Sequence, residues 1–258
     1  MGDTLAQDML LAALNCPFGT GHMGITAENV AREHSISRES QDLFALESQR
    51  RAQIAIESGY FNEQIVPIEI KKKREVAEFK VDEHPKNSDI NTLSNLKPAF
   101  KKDGSVTPGN ASGLNDGAGA LVLSTENAAI SAGLKPKARI LGYAHAGVRP
   151  EVMGIGPIPA VQKLLIKTGL TISDFDVVES NEAFAAQALA VNQKLNLDPA
   201  KVNPNGGAIA LGHPIGATGA IIAIKALYEL DRINGSKALI TMCIGGGQGI
   251  ALAIEKIN

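Results

Sequence analysis

Three polar side chains, Asn181, His213 and Cys243, stand in surroundings that could let them act in catalysis. A histidine can accept a proton near neutral pH, and a cysteine thiolate is both a base and a nucleophile. An asparagine side chain can hold a water molecule or donate a hydrogen bond into an oxyanion hole. Together these residue types predict proton transfer next to a stabilised negative charge.

His213 lies in a stretch of glycines and other small residues, residues 205–220. The glycines let the backbone turn tightly and approach a ligand closely, and Pro214 restricts the backbone of His213 to an extended conformation. The run 220–230 is apolar around much of its circumference, which predicts a buried helix. The ring would then lie at the start of this helix, a plausible catalytic position. The alternative is a glycine-rich turn that carries a structural histidine.

Asn181 and Cys243 each come at the end of a predicted strand, and in open α/β sheets ligands bind at the carboxyl ends of strands. Glycines follow Cys243, and its thiol can ionise if backbone N–H groups face it. The alternative for Cys243 is a buried, inert thiol that closes a strand. The alternative for Asn181 is the N-cap of a helix that begins at Ala183.

Regular alternation of strands and helices begins after Gly133 and predicts an α/β layered domain. The predicted strands are residues 138–148, 175–179, 237–242 and 249–254, and the predicted helices are residues 157–169, 183–195 and 220–230. The chain before Gly133 is more mixed. We place the domain boundary near that glycine.

The first part of the chain carries one well-marked helix, with Ser37 as its N-cap and Gly59 just beyond its end. Residues 65–70 predict an edge strand because they include a proline. Residues 82–110 predict a long ordered loop or a lid. The basic run 71–74 is either a solvated loop or a clamp for a phosphate.

The composition is that of an ordinary globular protein, with 44% hydrophobic and 20% charged residues and a net charge of -2. This charge gives no general argument for binding nucleic acid or a membrane surface, and aromatic residues are too few for a base-stacking platform. The two cysteines make neither a disulfide framework nor a zinc cluster. The N-terminus has no convincing signal peptide. We expect a cytoplasmic location and no metal.

Five motifs in register resemble the thiolases, the acetyl-CoA acetyltransferase group. They are Asn181-Glu182-Ala183-Phe184, Gly212-His213-Pro214, Cys243-Ile244-Gly245-Gly246-Gly247, Asn110-Ala111-Ser112-Gly113 and His22-Met23-Gly24. Related condensing enzymes of fatty-acid synthesis share the fold but use a second histidine where this chain has Cys243. The resemblance implies an α/β fold, a thiolase-like layered architecture that combines the C-terminal half-domain with the inserted loop domain.

The resemblance also implies roles for individual residues. His213 would activate a nucleophilic thiol and help to bind a thioester oxygen, and Asn181 would hold the water that completes this oxyanion hole. Cys243 would move a proton to and from the α-carbon of the second acyl group, and the Gly245 N–H would contribute to a second oxyanion hole. The residues expected to line the pantetheine tunnel are Ser112, His22, Met23, Met153 and Phe184. Coenzyme A would enter as the thioester substrate, with no cofactor and no metal.

By the same resemblance, residues 1–112 are the coenzyme A-binding loop domain, residues 113–133 a remnant of the first half and residues 134–258 the C-terminal domain. Thiolases carry the acyl-accepting cysteine in their first half, most of which this sequence does not include. Cys16 does not resemble the nucleophile in its surroundings and is not assigned. We therefore expect the chain to be inactive alone and to form homo-oligomers. A separate chain that supplies the first half stays an open alternative.

The expected reaction is the condensation of two acetyl-CoA molecules to acetoacetyl-CoA and its reverse, thiolysis. Residues 22–24 and 110–112 favour this biosynthetic type. Two alternatives stay open: a fragment of a degradative 3-ketoacyl-CoA thiolase, and a non-catalytic acyl-CoA-binding module. A strand around Leu121 would complete the sheet of the first half and would lack neighbours here.

Overall fold

The computed structural model describes residues 2–3, 5–72 and 75–257 of the chain. The first part consists mostly of helices and two small antiparallel sheets, β1–β2 and β3–β4. Its elements are α1 (Met9–Ala13), β1 (Asn15–Cys16), β2 (Gly21–His22), α2 (Met23–Glu33), α3 (Arg38–Glu57), β3 (Ile68–Lys72), β4 (Glu75–Phe79), α4 (Ile90–Ser94) and α5 (Glu126–Ser131).

Helix α3 begins and ends where its capping residues predict. The side chain of Ser37 accepts a hydrogen bond from the backbone N–H of Ser40, and Gly59 has a φ of 71°, in the left-handed region that follows many helix ends. Strand β3 begins only at Ile68, because Pro67 has no N–H to give to a ladder. In the basic run 71–74, residues 73 and 74 lie outside the described residues, so the phosphate clamp stays a prediction.

The second part alternates strands and helices, as the sequence predicts. Its elements are β5 (Ala138–Gly147), a 3₁₀ segment (Pro150–Ile155), α6 (Pro157–Thr168), a 3₁₀ turn (Ile172–Asp174), β6 (Val177–Ser180), α7 (Ala185–Leu195), α8 (Ala208–Leu211), α9 (Thr218–Ile233), β7 (Lys237–Ile244) and β8 (Gln248–Lys256). The four strands form one sheet in the order β5-β8-β7-β6. Strands β6 and β7 are parallel, and the other neighbours are antiparallel.

Helices cover both faces of this sheet. Successive strand residues point to opposite faces, so Ala238 and Ile240 of β7 pack in one apolar cluster with Leu230 of α9. Leu239, between them, packs in another cluster with Leu164 of α6 and with residues of α7. A strand buried on both faces reads as a continuous apolar run, which is why the sequence of β7 is so hydrophobic. The predicted α/β layered fold is confirmed.

The segment between Asn115 and Thr125 forms neither helix nor strand. Within it, Val122 is 91% exposed and Leu123 is 76% exposed. An isolated strand cannot satisfy its backbone groups, so an apolar run without a neighbouring strand stays irregular. The division of the chain into a loop domain, a remnant and a C-terminal domain stays a prediction. Among the helices of the described residues, we find none with the length and apolarity needed to span a bilayer.

Candidate active site

Asn181 and Cys243 lie at the same edge of the sheet, because parallel β6 and β7 end there together. Asn181 follows the last residue of β6, and its backbone N–H donates to the carbonyl of Thr241 on β7 at 3.0 Å. Cys243 is two residues further along β7. The alternative role of Asn181 as a helix N-cap is wrong, since Phe184 takes that position for α7.

His213 is held at its backbone and at both ring nitrogens. Its Nε2 lies 3.4 Å from Asn181 Nδ2, and its Nδ1 lies 2.6 Å from the hydroxyl of Thr218, the first residue of α9. Its backbone N–H donates to Asn115 Oδ1 at 3.2 Å. Gly212 has a φ of 93°, and a Cβ on it would lie 2.4 Å from that same oxygen. The expected ring at the start of α9 is therefore present, and Gly212 leaves room for Asn115.

The protonation of the two titratable groups follows from their burial. Burial lowers the pKa of His213 from its usual range, which favours a neutral imidazole that can accept a proton. Burial raises the pKa of the Cys243 thiol to about 12, and a hydrogen bond from its own backbone lowers it by less. Burial therefore opposes the ionisation of Cys243 that the glycines after it could favour.

The residues expected to line the tunnel lie around Cys243. Met23, Met153 and Phe184 belong to the same buried cluster as Cys243. The backbone N–H of Ser112 donates to the carbonyl of Ala183, next to Phe184, at 3.0 Å. His22 stacks on Phe100 with ring centroids 4.8 Å apart, and Phe100 meets Phe184 edge-on at 6.2 Å. A Cβ on Gly245 would lie 3.1 Å from the end of Met23. These contacts bring Cys243, Gly245 and the five expected tunnel residues together, while His213 joins the same sheet edge through Asn181.

Cys16, which the sequence left unassigned, packs in the same cluster as Cys243 and is 7% exposed. It lines a cavity of about 520 Å³ together with Met23 and Gly245. Burial raises the pKa of the Cys16 thiol, but the polar groups beside it, the Thr20 side chain and the backbone of Phe18 and Thr20, outweigh burial and lower the pKa below its usual value. Nothing in its local sequence predicts this placement. The sequence analysis also missed the contacts of three other residues with the site, because local sequence does not show them: Asn115, Thr218 and Phe100.

A buried carboxylate, Glu182, stands directly after Asn181 and is 2% exposed. It accepts hydrogen bonds from the hydroxyl of Ser48 on α3 at 2.6 Å, from Asn203 Nδ2 at 2.8 Å and from the backbone N–H of Ile209 at 3.3 Å. The segment before His213 is thereby connected to α3 and to the end of β6. Burial raises the pKa of Glu182, and its hydrogen bonds oppose that shift.

A second buried network holds the same segment from α9. Lys225 Nζ lies 2.9 Å from Glu179 Oε2 and donates to the carbonyl of Gly206 at 2.6 Å. Asn205 Nδ2 donates to Glu229 Oε2 at 2.7 Å. Burial raises the pKa of Glu179 to about 6, while the charge and hydrogen bond of Lys225 lower it. Within the described residues, no group of three or more His, Cys, Asp or Glu side chains could hold a metal ion.

Comparison with known proteins agrees with the motifs. Residues 1–127 match the model of the thiolase N-terminal domain, and residues 134–256 match that of the thiolase C-terminal domain. The beta-ketothiolase BktB of Cupriavidus necator is 57% identical over 259 residues, which cover 100% of this chain and 66% of the relative. The chain belongs to the thiolase family. It spans about two thirds of the length of the curated relatives that it matches.

Solved thiolase structures share the architecture of this thiolase chain. The acetyl-CoA acetyltransferase of Bacillus anthracis is 50% identical with a TM-score of 0.95, covering 100% of this chain and 66% of that one. The human mitochondrial 3-ketoacyl-CoA thiolase in complex with CoA is 47% identical with a TM-score of 0.92, covering 99% of this chain and 65% of that one. The thiolase-like fold is therefore confirmed, whereas the roles of the site residues are not tested by these likenesses.

Proposed function

We propose that the chain is part of an acetyl-CoA acetyltransferase, which condenses two acetyl-CoA molecules to acetoacetyl-CoA and catalyses the reverse thiolysis. The observation that carries the proposal is the contact between His213 Nε2 and the Asn181 side chain, at the sheet edge where Cys243 lies near the end of β7. The names of the Bacillus anthracis and Cupriavidus necator relatives support the same chemistry.

In the first step His213 acts as a base. Its Nε2 accepts the proton of a nucleophilic cysteine, and the resulting thiolate attacks the carbonyl carbon of the first thioester. The bond from that carbon to the coenzyme A sulfur breaks, and the released coenzyme A thiolate takes the proton back from His213. Burial lowers the pKa of His213, so the ring is neutral and free to take this proton. The Oδ1 atom of Asn181 is buried and accepts no hydrogen bond from the described residues, as suits an amide that holds a water for the oxyanion hole.

In the second step Cys243 moves a proton at the α-carbon of the second acyl group. In thiolysis its thiol donates the proton to the carbanion released when the carbon–carbon bond breaks. In condensation the proton moves from the α-carbon to the Cys243 thiolate, the new carbanion bonds to the acyl carbon of the acyl-enzyme, and the nucleophilic cysteine leaves as its carbon–sulfur bond breaks. Burial raises the pKa of the Cys243 thiol to about 12, so its thiolate is the minor form and a strong base. The Gly245 N–H would stabilise the enolate oxygen that forms at the same time.

The nucleophilic cysteine in this proposal lies in the third of the relatives' length that these 258 residues do not match. Ser112, His22, Met23, Met153 and Phe184 would line the path of the pantetheine arm. Coenzyme A thioesters are the substrates, and the proposal needs no other cofactor. Assembly into homo-oligomers belongs to the same proposal.

The test compares the 258-residue chain with a fusion in which the unmatched part of the Cupriavidus necator relative precedes it. We expect negligible thiolysis of acetoacetyl-CoA by the chain alone and clear thiolysis by the fusion. His213→Ala in the fusion should abolish turnover, because no base remains at the nucleophile. Cys16→Ser in the fusion is the matched control, since the proposal gives this buried thiol no role.

Two results would contradict the proposal in different ways. If the chain alone catalysed thiolysis and lost this activity in Cys16→Ser, Cys16 would be the nucleophile, and the proposal would place the nucleophile in the wrong part of the protein. A folded fusion that binds coenzyme A without thiolysis would favour a binding module instead. A series of 3-ketoacyl-CoA substrates of increasing length then separates the two enzyme types, because a degradative thiolase accepts the longer ones.

A further inference from the structure

The hydroxyl of Thr218 has two close neighbours and only one proton to give. Its Oγ1 lies 3.0 Å from the backbone carbonyl of Pro214 and 2.6 Å from His213 Nδ1. A carbonyl oxygen can only accept, so the hydroxyl proton is assigned to the Pro214 carbonyl, which also accepts from the backbone N–H groups of Ala217 at 2.8 Å and of Thr218 at 3.0 Å. The Thr218 oxygen then accepts a hydrogen bond from His213, which requires a proton on Nδ1.

The other side of the ring gives the same answer. His213 Nε2 faces Asn181 Nδ2 at 3.4 Å, and an amide NH₂ group can only donate. With the Asn181 amide in this orientation, Nε2 carries a free electron pair in the neutral ring. Both contacts select one tautomer of the two that a neutral imidazole can adopt.

We infer that Thr218 is a positioning residue that fixes neutral His213 in the Nδ1–H tautomer, with the Nε2 electron pair facing Asn181. Its meaning for catalysis rests on the proposed function, because only this tautomer presents Nε2 as the base. A hydroxyl partner is also uncharged. A carboxylate at the same place would favour the imidazolium form and leave less free base at neutral pH.

The tautomer can be measured without any turnover, by ¹⁵N NMR of the imidazole rings in the full 258-residue chain near neutral pH. The signals of His213 are assigned by their loss in His213→Gln. We expect the Nδ1–H form to predominate in the wild type and in Thr218→Ser, which keeps the hydroxyl. In Thr218→Val the ratio of Nδ1–H to Nε2–H should fall about fivefold, the ratio that one net hydrogen bond supports.

Thr168→Val is the matched control. The hydroxyl of Thr168 also donates to the carbonyl four residues before it, that of Leu164, at 2.9 Å, but it touches no histidine. This variant should leave the His213 signals unchanged. A wild-type ring protonated on Nε2 would overturn the inference, even if Thr218→Val failed to fold.

An unchanged ratio in folded Thr218→Val would also overturn the inference. The assignment can thus fail or hold independently of the proposed function. In the fusion enzyme, Thr218→Val should lower kcat with KM preserved, while Thr218→Ser restores kcat.

Discussion

Replacing Lys225 by Met should destabilise the chain strongly, because it leaves the Glu179 carboxylate buried without its cation. The two side chains are 7% and 1% exposed and their charged atoms lie 2.9 Å apart. The carbonyl of Gly206 loses its donor in the same change. Removing one partner of a buried ion pair costs about 3–5 kcal/mol. That is a large part of the roughly 5–15 kcal/mol by which a folded domain is stable.

The loss of stability caused by Lys225→Met should be larger at high pH than at low pH. Burial raises the pKa of Glu179 to about 6, and Lys225 holds it down, so removing Lys225 raises the pKa further. The folded state then binds more protons than the unfolded state between the usual value of 4.5 and the raised one. Stability therefore increases as pH falls through this window. The deficit of Lys225→Met should be largest above the raised pKa and should shrink below it.

Urea unfolding followed by circular dichroism at about pH 7.5 and about pH 5.5 measures both effects. Lys194→Met, an exposed lysine on α7, is the matched control and should change little. The double variant Glu179→Gln, Lys225→Met should recover part of the loss, since it leaves no buried charge. Equal urea midpoints for Lys225→Met and Lys194→Met, or a deficit that grows as pH falls, would refute the reasoning.

Two further outcomes are expected from the same structure. Iodoacetamide at mildly alkaline pH should label Cys16 before Cys243 in the folded chain. The reason is that burial raises the pKa of the Cys243 thiol to about 12, whereas the pKa of Cys16 is lowered. Equal labelling rates of the two cysteines, measured by peptide mass spectrometry, would contradict this. Gly207→Ala should lower stability by roughly 2 kcal/mol, because a Cβ there would lie 2.1 Å from the Glu182 carboxyl carbon, whereas a Cβ on Gly216 meets nothing within 4 Å. Thermal unfolding of Gly207→Ala against Gly216→Ala checks it, and equal losses would count against the clash.

Local chemistry made the elements of the fold predictable. Ser37 and Gly59 mark the ends of α3, and Pro157 and Gly169 mark those of α6. Each of these residues either caps a helix end or readily adopts the backbone conformation that a helix end requires. The buried strands follow from their apolar sequences. Boundaries were less accurate where no cap stands in the sequence, as at the start of α9, where Ala217 makes no side-chain cap.

The contacts that complete the site could not be predicted in this way. Asn115 reaches the backbone of His213 across 98 positions, and Phe100 reaches His22 from an irregular segment without periodicity. The protonation of Cys243 depends on how much of the protein covers it, which its glycine neighbours do not reveal. Motif likeness supplied the identities of the site residues, but only the fold supplies their partners.

The buried charges beneath the site have a common consequence for His213. Glu182 accepts from the backbone of Ile209, Lys225 donates to the backbone of Gly206, and Glu229 accepts from the side chain of Asn205. Three separate groups therefore hold the segment that leads into the histidine. Glu182 also follows Asn181 directly in the chain. A shift of residues 205–209 would therefore strain contacts that position Asn181.

Buried charges of this kind reduce stability compared with apolar packing, but they permit few alternative arrangements of the backbone. We infer that this network keeps the 3.4 Å contact between His213 and Asn181 in a single geometry. If so, the His213 imidazole signals of folded Lys225→Met should shift or broaden, although Lys225 does not touch the ring. Unchanged signals would mean that the network serves the fold alone.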